Sequence, residues 1–265
     1  MNQAIEDNNI WDGLSLAQTL DRFVGMLHHQ FGPRLVSVLL FGSAVFDDLT
    51  PGYGDLDFLV VVDHSLVEQD CRMLSEMRQP LRLRKTGNFA SMLEGAFLPR
   101  HMLDPTQAGV AFWWGTSGER LWQKNRLGWI ILHEIRHYGK ILWGEDIRAA
   151  IPVISQEQLQ ESIGEVCQNI ALHGKGRSLH SVDWLLTAAR GLLFLQEGRL
   201  CSKSEAADWA YQHARGGWKA YLPLAKQIRI EPLLANTSEV QKWLSGLTAP
   251  IQEAGRELQE VLRSL

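Results

Sequence analysis

The residues of this chain best suited to chemistry lie in one short stretch, Val38 to Val62, which reads VLLFGSAVFDDLTPGYGDLDFLVVV. Gly42-Ser43 follows an apolar run that ends at Phe41, and Asp55 and Asp57 come twelve and fourteen residues after the serine. Side chains in a strand alternate faces, so Asp55 and Asp57 would point to the same side, about 7 Å apart, with Leu56 and Phe58 turned to the core. Two carboxylates on one rigid face suit a divalent cation with oxygen ligands, above all Mg²⁺. The glycine lets a phosphate approach the backbone, and Ser43 supplies a hydroxyl. A helix start after the turn adds free N–H groups and a positive dipole end. Metal and phosphate clamp side by side are what nucleotidyl transfer from a nucleoside triphosphate requires. Each element alone also has an ordinary reading: Gly-Ser turns are common, and paired Asp residues at a strand start are often simply solvated. An acid at Asp57, between Leu56 and Phe58 in a strand that continues as LVVV, is costly unless something binds it, and this favours a metal site.

Periodicity defines the elements that must hold these residues. Leu16, Leu20, Phe23, Val24, Leu27 and Phe31 make a helical stripe over 15–31, stopped by Gly32-Pro33. Strands are expected at 35–41 and 55–63, separated by the turn-rich stretch 47–54, with a helix over 65–78. FASMLEGAF (89–97) reads as a third strand, and VAFWWG (110–115) as a fourth or a buried loop. From about residue 119 the period is helical, beginning with one long helix over 127–144 closed by Gly144. Residues 145–155, with Pro152, are the linker candidate. Helices then follow near 156–173, 181–197, 203–214, 218–229 and 238–264; Ser202 and Glu205 form a capping box at the third of these. The expected architecture is an α/β (α+β) domain with a small mixed sheet over 1–150, followed by an all-α helical bundle over 151–265.

Composition narrows the partners. The 265 residues are 45% apolar with a net charge of −4, which excludes a disordered chain. The mild negative charge argues against broad nucleic-acid binding and leaves room for a cationic small substrate. Ten Trp residues offer aromatic faces for a core or a cleft. Cys71, Cys167 and Cys201 are widely spaced and odd in number, which points to a reducing compartment rather than a disulfide framework. The start MNQAIEDNNI is polar and acidic, unlike a signal peptide, and no apolar run approaches a membrane span. A cytoplasmic protein, and a monomer, is expected.

The 38–62 stretch resembles the nucleotidyltransferase superfamily of the DNA polymerase β type. The pattern is an apolar strand, Gly-Ser, a short spacer and Asp-apolar-Asp-apolar, here Phe41-Gly42-Ser43 and Asp55-Leu56-Asp57-Phe58. Many relatives have Ser before the first Asp, where this chain has Gly54. The resemblance implies a third carboxylate on a neighbouring strand, and Glu94 in SMLEGAFLP is the candidate, as metal ligand or as general base for an acceptor hydroxyl. The order Gly-Ser, Asp-x-Asp, Glu and then a helical domain is similar to the aminoglycoside adenylyltransferases that act on streptomycin and spectinomycin. The 37 residues from Asp57 to Glu94 suit that family, as does LLTAARGLLFLQEGRLCSKSEAADWA (185–210). The resemblance implies ATP as co-substrate and two Mg²⁺ held by Asp55, Asp57 and Glu94. It also implies phosphates seated by Gly42 and Ser43, Lys203 approaching them, and Asp183 near the substrate. Trp113 or Trp114 would wall the drug. The implied reaction moves AMP from ATP to a hydroxyl of a cationic aminoglycoside bound in a cleft between the domains, which gives antibiotic resistance.

Other readings stay open at this level. His133-Glu134-Ile135-Arg136-His137 fits H-E-x-x-H, in which two His four apart on a helix share Zn²⁺ and the Glu acts as base. Arg136 between Glu134 and His137 stands against it, and Glu145 or Glu157 would have to be the third ligand. The remaining alternatives are a nucleotidyltransferase with a protein or RNA acceptor, and a nucleotide sensor that binds ATP and Mg²⁺ without releasing pyrophosphate.

Overall fold

Two nearly unbroken apolar runs, Leu35–Leu40 (β1) and Leu56–Val62 (β2), form adjacent interior strands of the sheet, buried on both faces. The computed structural model describes residues 11, 13–82, 89–115 and 118–265; the amino-terminal decapeptide read above for its polarity lies outside them. Leu93–Pro99 (β3), Ala108–Gly115 (β4), Gly118–Lys124 (β5) and Lys140–Gly144 (β6) complete a six-stranded sheet in the order β5-β4-β3-β2-β1-β6. β2 and β3 run parallel and every other neighbouring pair is antiparallel, so the sheet is mixed, as expected.

The described chain divides into two compact units. One comprises Met1–Phe41, Gly54–Arg126 and Tyr138–Pro152 and holds the sheet. Its helix Leu16–Phe31 (α1) starts at a capping box of Ser15 with Gln18 and buries Phe23, Leu27 and Phe31. Phe23 packs on Phe58 of β2 with ring centroids 4.9 Å apart, and Phe97 of β3 and Trp114 of β4 complete the aromatic core. A second helix, Glu68–Arg82 (α2), leads towards β3. β2 and β3 approach so closely that a Cβ at Gly95 would overlap the carbonyl and ring of Phe58.

The other unit comprises Gly42–Tyr53, Leu127–His137 and Val153–Leu265. It contains Trp129–Tyr138 (α3, except Tyr138), Gln156–His173 (α4), Val182–Glu197 (α5), Lys203–His213 (α6), Leu222–Ile230 (α7), Ser238–Ser245 (α8) and Thr248–Arg263 (α9). α5 is apolar almost all round and packs against α6, α7 and α9, which makes it the central helix. Among the described residues no helix is long and apolar enough to cross a membrane, and all three cysteines are free.

Five local expectations change. The strand expected over 89–97 begins only at Leu93, after a short helical turn over Phe89–Met92. The helix expected over 127–144 ends at Tyr138, and after Gly139 the residues KILWG form β6 beside β1. Residues 118–124, at the start of the stretch read as helical from about residue 119, form the edge strand β5. The helix expected over 238–264 breaks around Gly246 into α8 and α9. At α6, Ser202 does accept from the Glu205 N–H at 2.9 Å, but the Glu205 carboxylate pairs with Arg199 and leaves the box half made.

Candidate functional site

In the sheet unit, β2 and β3 share one burial pattern: every position is buried except the second. Those two positions are Asp57 and Glu94, and the parallel register sets them side by side. Registered neighbours share a face of a sheet, so the two carboxylates emerge together on the face opposite Phe58 and Gly95. Asp55 stands one residue ahead of β2, while the Phe41 N–H, at the end of β1, donates to the Asp57 carbonyl at 3.1 Å. Carboxylate oxygens are the hard donors that Mg²⁺ prefers. Among the described residues no three His, Cys, Asp or Glu side chains are gathered as a ready metal cage, and this holds for His133 and His137 as well.

The paired tryptophans separate by the same alternation. Trp113 lies opposite Ala96 and so shares the face of Glu94; it stacks on Trp122 at 5.1 Å. Trp114 lies opposite Gly95, fully buried against Phe58 and Phe97. The expectation that Trp114 could wall a ligand is therefore corrected. Its face of the strand belongs to the core.

In the helical unit, Gly42 adopts a left-handed backbone at φ 69° and opens a short helical turn, Gly42–Val45. Its N–H donates to Glu134 Oε1 on α3 at 2.6 Å, and Glu134 Oε2 pairs with Arg190 of α5. The Arg190 guanidinium also lies over the Phe46 ring, 5.6 Å from its centroid. Asp48 is held by two residues: it accepts from the N–H and hydroxyl of Ser204 at the start of α6, and from Arg229 Nε of α7 at 3.1 Å. Tyr53 closes the segment, buried beneath the Arg229 guanidinium and near His180. Burial, and then the charge of nearby Asp183, pushes the Tyr53 phenol well above its ordinary range, so it remains neutral.

Asp183 and Lys203 meet directly, with Lys203 Nζ 2.6 Å from Asp183 Oδ1 and both side chains partly exposed. The sequence had assigned them to different ligands. Glu134, Arg190, Asp48, Ser204, Arg229 and Tyr53 were not foreseen as supports of the turn. Glu134 was visible as the supposed zinc-peptidase base, yet both of its oxygens are bonded inside the protein. Burial, and then His137, lowers the pKa of neighbouring His133.

Residues 150–248 match the family model described as aminoglycoside adenylyltransferase, C-terminal domain. A spectinomycin 9-adenylyltransferase of Staphylococcus aureus is 29% identical over 196 residues, spanning 68% of this chain and 72% of that protein. Among solved structures, the spectinomycin adenyltransferase AAD(9) from Enterococcus faecialis, crystallised with ATP and spectinomycin, superposes with a TM-score of 0.74. The superposition covers 92% of this chain and 100% of that one at 19% identity, which shows a shared fold.

Proposed function

Because the chain belongs to the aminoglycoside adenylyltransferase family, we propose that it moves AMP from ATP to a hydroxyl of a spectinomycin-type aminoglycoside and so confers resistance to that drug. The observation that carries this reading is the register pairing of Asp57 with Glu94, two half-open carboxylates on otherwise buried strands. Relatives that act on spectinomycin support the acceptor class, and the solved relative with ATP supports the donor. Streptomycin is a second acceptor to be tested.

In the proposed reaction the acceptor hydroxyl oxygen attacks the α-phosphorus of ATP. The bond from that phosphorus to the bridging oxygen of the β-phosphate breaks, and pyrophosphate leaves. Glu94 takes the hydroxyl proton as general base. Asp55 and Asp57 would hold two Mg²⁺, which would supply charge neutralisation for the triphosphate and the leaving pyrophosphate. Ser43 and the turn opened by Gly42 seat the phosphates. Lys203 exchanges Asp183 for a phosphate oxygen, which frees the Asp183 carboxylate for the cationic acceptor. Trp113, on the carboxylate face, offers an aromatic surface to an ammonium group.

Mass spectrometry of the protein with ATP, Mg²⁺ and either spectinomycin or streptomycin tests this directly. An adenylyl mass gain on spectinomycin is expected. It should vanish in Asp57→Asn with the far-UV spectrum unchanged, and in Glu94→Gln with ATP binding retained. No gain on either drug would remove the acceptor class and leave a macromolecular acceptor or a nucleotide sensor. Wild-type turnover in Asp57→Asn would remove its metal role.

A further inference from the structure

We propose that Glu134 is the positioning residue of the Gly42-Ser43 turn, acting with Arg190 to fix its backbone for the nucleotide phosphates; this rests on the reading that the turn seats the triphosphate. Glu134 is the second residue of the HEIRH segment, a motif the proposed reaction does not otherwise use. Its side chain is only 5% exposed. Burying a carboxylate is unfavourable unless each oxygen is bonded and the charge is paired. Both conditions are met, and both partners bear on one loop.

Oε1 accepts the N–H of Gly42, the residue whose left-handed backbone opens the turn. Oε2 pairs with Arg190, and the same guanidinium covers Phe46, one residue past the end of the turn. One ion pair thus grips the turn at its start and just beyond its end. It also directs the Gly42 N–H towards α3. The phosphate contacts of the turn therefore fall to the Ser43 hydroxyl and to later groups of the turn, whose direction depends on where Gly42 is held. A carboxylate that only tied α3 to α5 would need no bond to this glycine.

The two available substitutions grade the effect. In Glu134→Gln the amide oxygen still accepts from Gly42, but the ion pair with Arg190 is lost. In Glu134→Ala both contacts go. Steady-state kinetics with spectinomycin, varying each substrate separately, should show KM for ATP raised about tenfold or more in Glu134→Ala, as expected for losing a charge-assisted bond, with Glu134→Gln intermediate. KM for spectinomycin should stay within about twofold of wild type, since the loss is confined to the phosphate side. Combining Glu134→Ala with Arg190→Met should add little to either single change, because the two residues act as a unit.

A role in stability alone would lower the melting temperature and the active fraction while leaving KM for ATP where it was, and that result overturns the proposal. If Glu134→Ala does not fold, Glu134→Gln decides by the same constant. A wild-type protein that neither adenylylates spectinomycin nor binds ATP would overturn the proposed function and this inference with it. Wild-type turnover with unshifted KM for ATP in both variants would overturn this inference alone.

Discussion

Single carboxylates in this chain separate by what their oxygens do. Asp57 and Glu94 keep part of their surface open on strands that are otherwise buried. Glu257 of α9 is the opposite case. It is buried and accepts from the N–H groups of Arg215 and Gly216 and from Trp218 Nε1, at 2.7, 2.9 and 2.8 Å. Burial alone would raise its pKa, but the three donors, with the nearby Arg215 charge, outweigh burial and hold the carboxyl below its ordinary range. A depressed folded-state pKa gives stability that is present above the unfolded value and lost as pH falls through the folded one. Urea unfolding should therefore show stability declining as pH drops below the ordinary glutamate range. Glu257→Gln should lower stability at neutral pH by about 1–3 kcal/mol and reduce that acid slope. Asp70, lowered mainly through its bond to Arg34 against the effect of burial, would keep part of the slope. An unchanged slope in the variant would mean that Glu257 does not carry the acid sensitivity.

Elements show where local pattern suffices and where it fails. The ends of α4 and α5 were readable because Ser155 caps one and Gly198, at φ 70°, stops the other. β6 was hidden because its apolar residues continue a helical stripe, and its partner β1 lies about 100 residues earlier in the chain. β5 was missed because it is an edge strand with Trp122 as its buried residue. Asp55 and Asp57 were singled out by their spacing and Glu94 by resemblance. The union of Asp48 with Arg229, 181 residues apart, has no local signal at all. Gly95 links the element scale to the site, since it faces Phe58 while Asp57 and Glu94 sit one position earlier on the same two strands. Its added methyl would strike backbone rather than a movable side-chain tip, so Gly95→Ala must separate β2 from β3. A loss of about 1–3 kcal/mol is expected by urea unfolding. At temperatures where the variant is fully folded, turnover should still fall, because the register of the two carboxylates shifts. Wild-type turnover in a folded Gly95→Ala would show that this register is not needed.

The course of the whole chain carries a further consequence. The helical unit is assembled from three separate segments, and the first two supply charges on which the third depends. Arg229 is 4% exposed and is satisfied by the carboxylate and carbonyl of Asp48; Arg190 is satisfied by Glu134. Trp129 Nε1 and the Ile130 N–H, from the second segment, bond to Glu161 and Ser162 of α4. A fragment of residues 153–265 keeps every helix from α4 to α9 but leaves Arg229 and Arg190 without their carboxylates. The fragment also loses Phe46 and Tyr53, the rings that lie against these two guanidinium groups, so both ion pairs and part of the apolar cover go together. The isolated fragment is therefore expected to retain helical far-UV dichroism while losing its near-UV signal and its cooperative urea transition. Asp48→Ala in the full chain leaves Arg229 buried without its carboxylate and should lower the unfolding free energy by about 3–5 kcal/mol. A fragment that unfolds cooperatively at the midpoint of the full chain would show that α4 to α9 form a self-sufficient core, with the Asp48 and Glu134 pairs serving the turn alone.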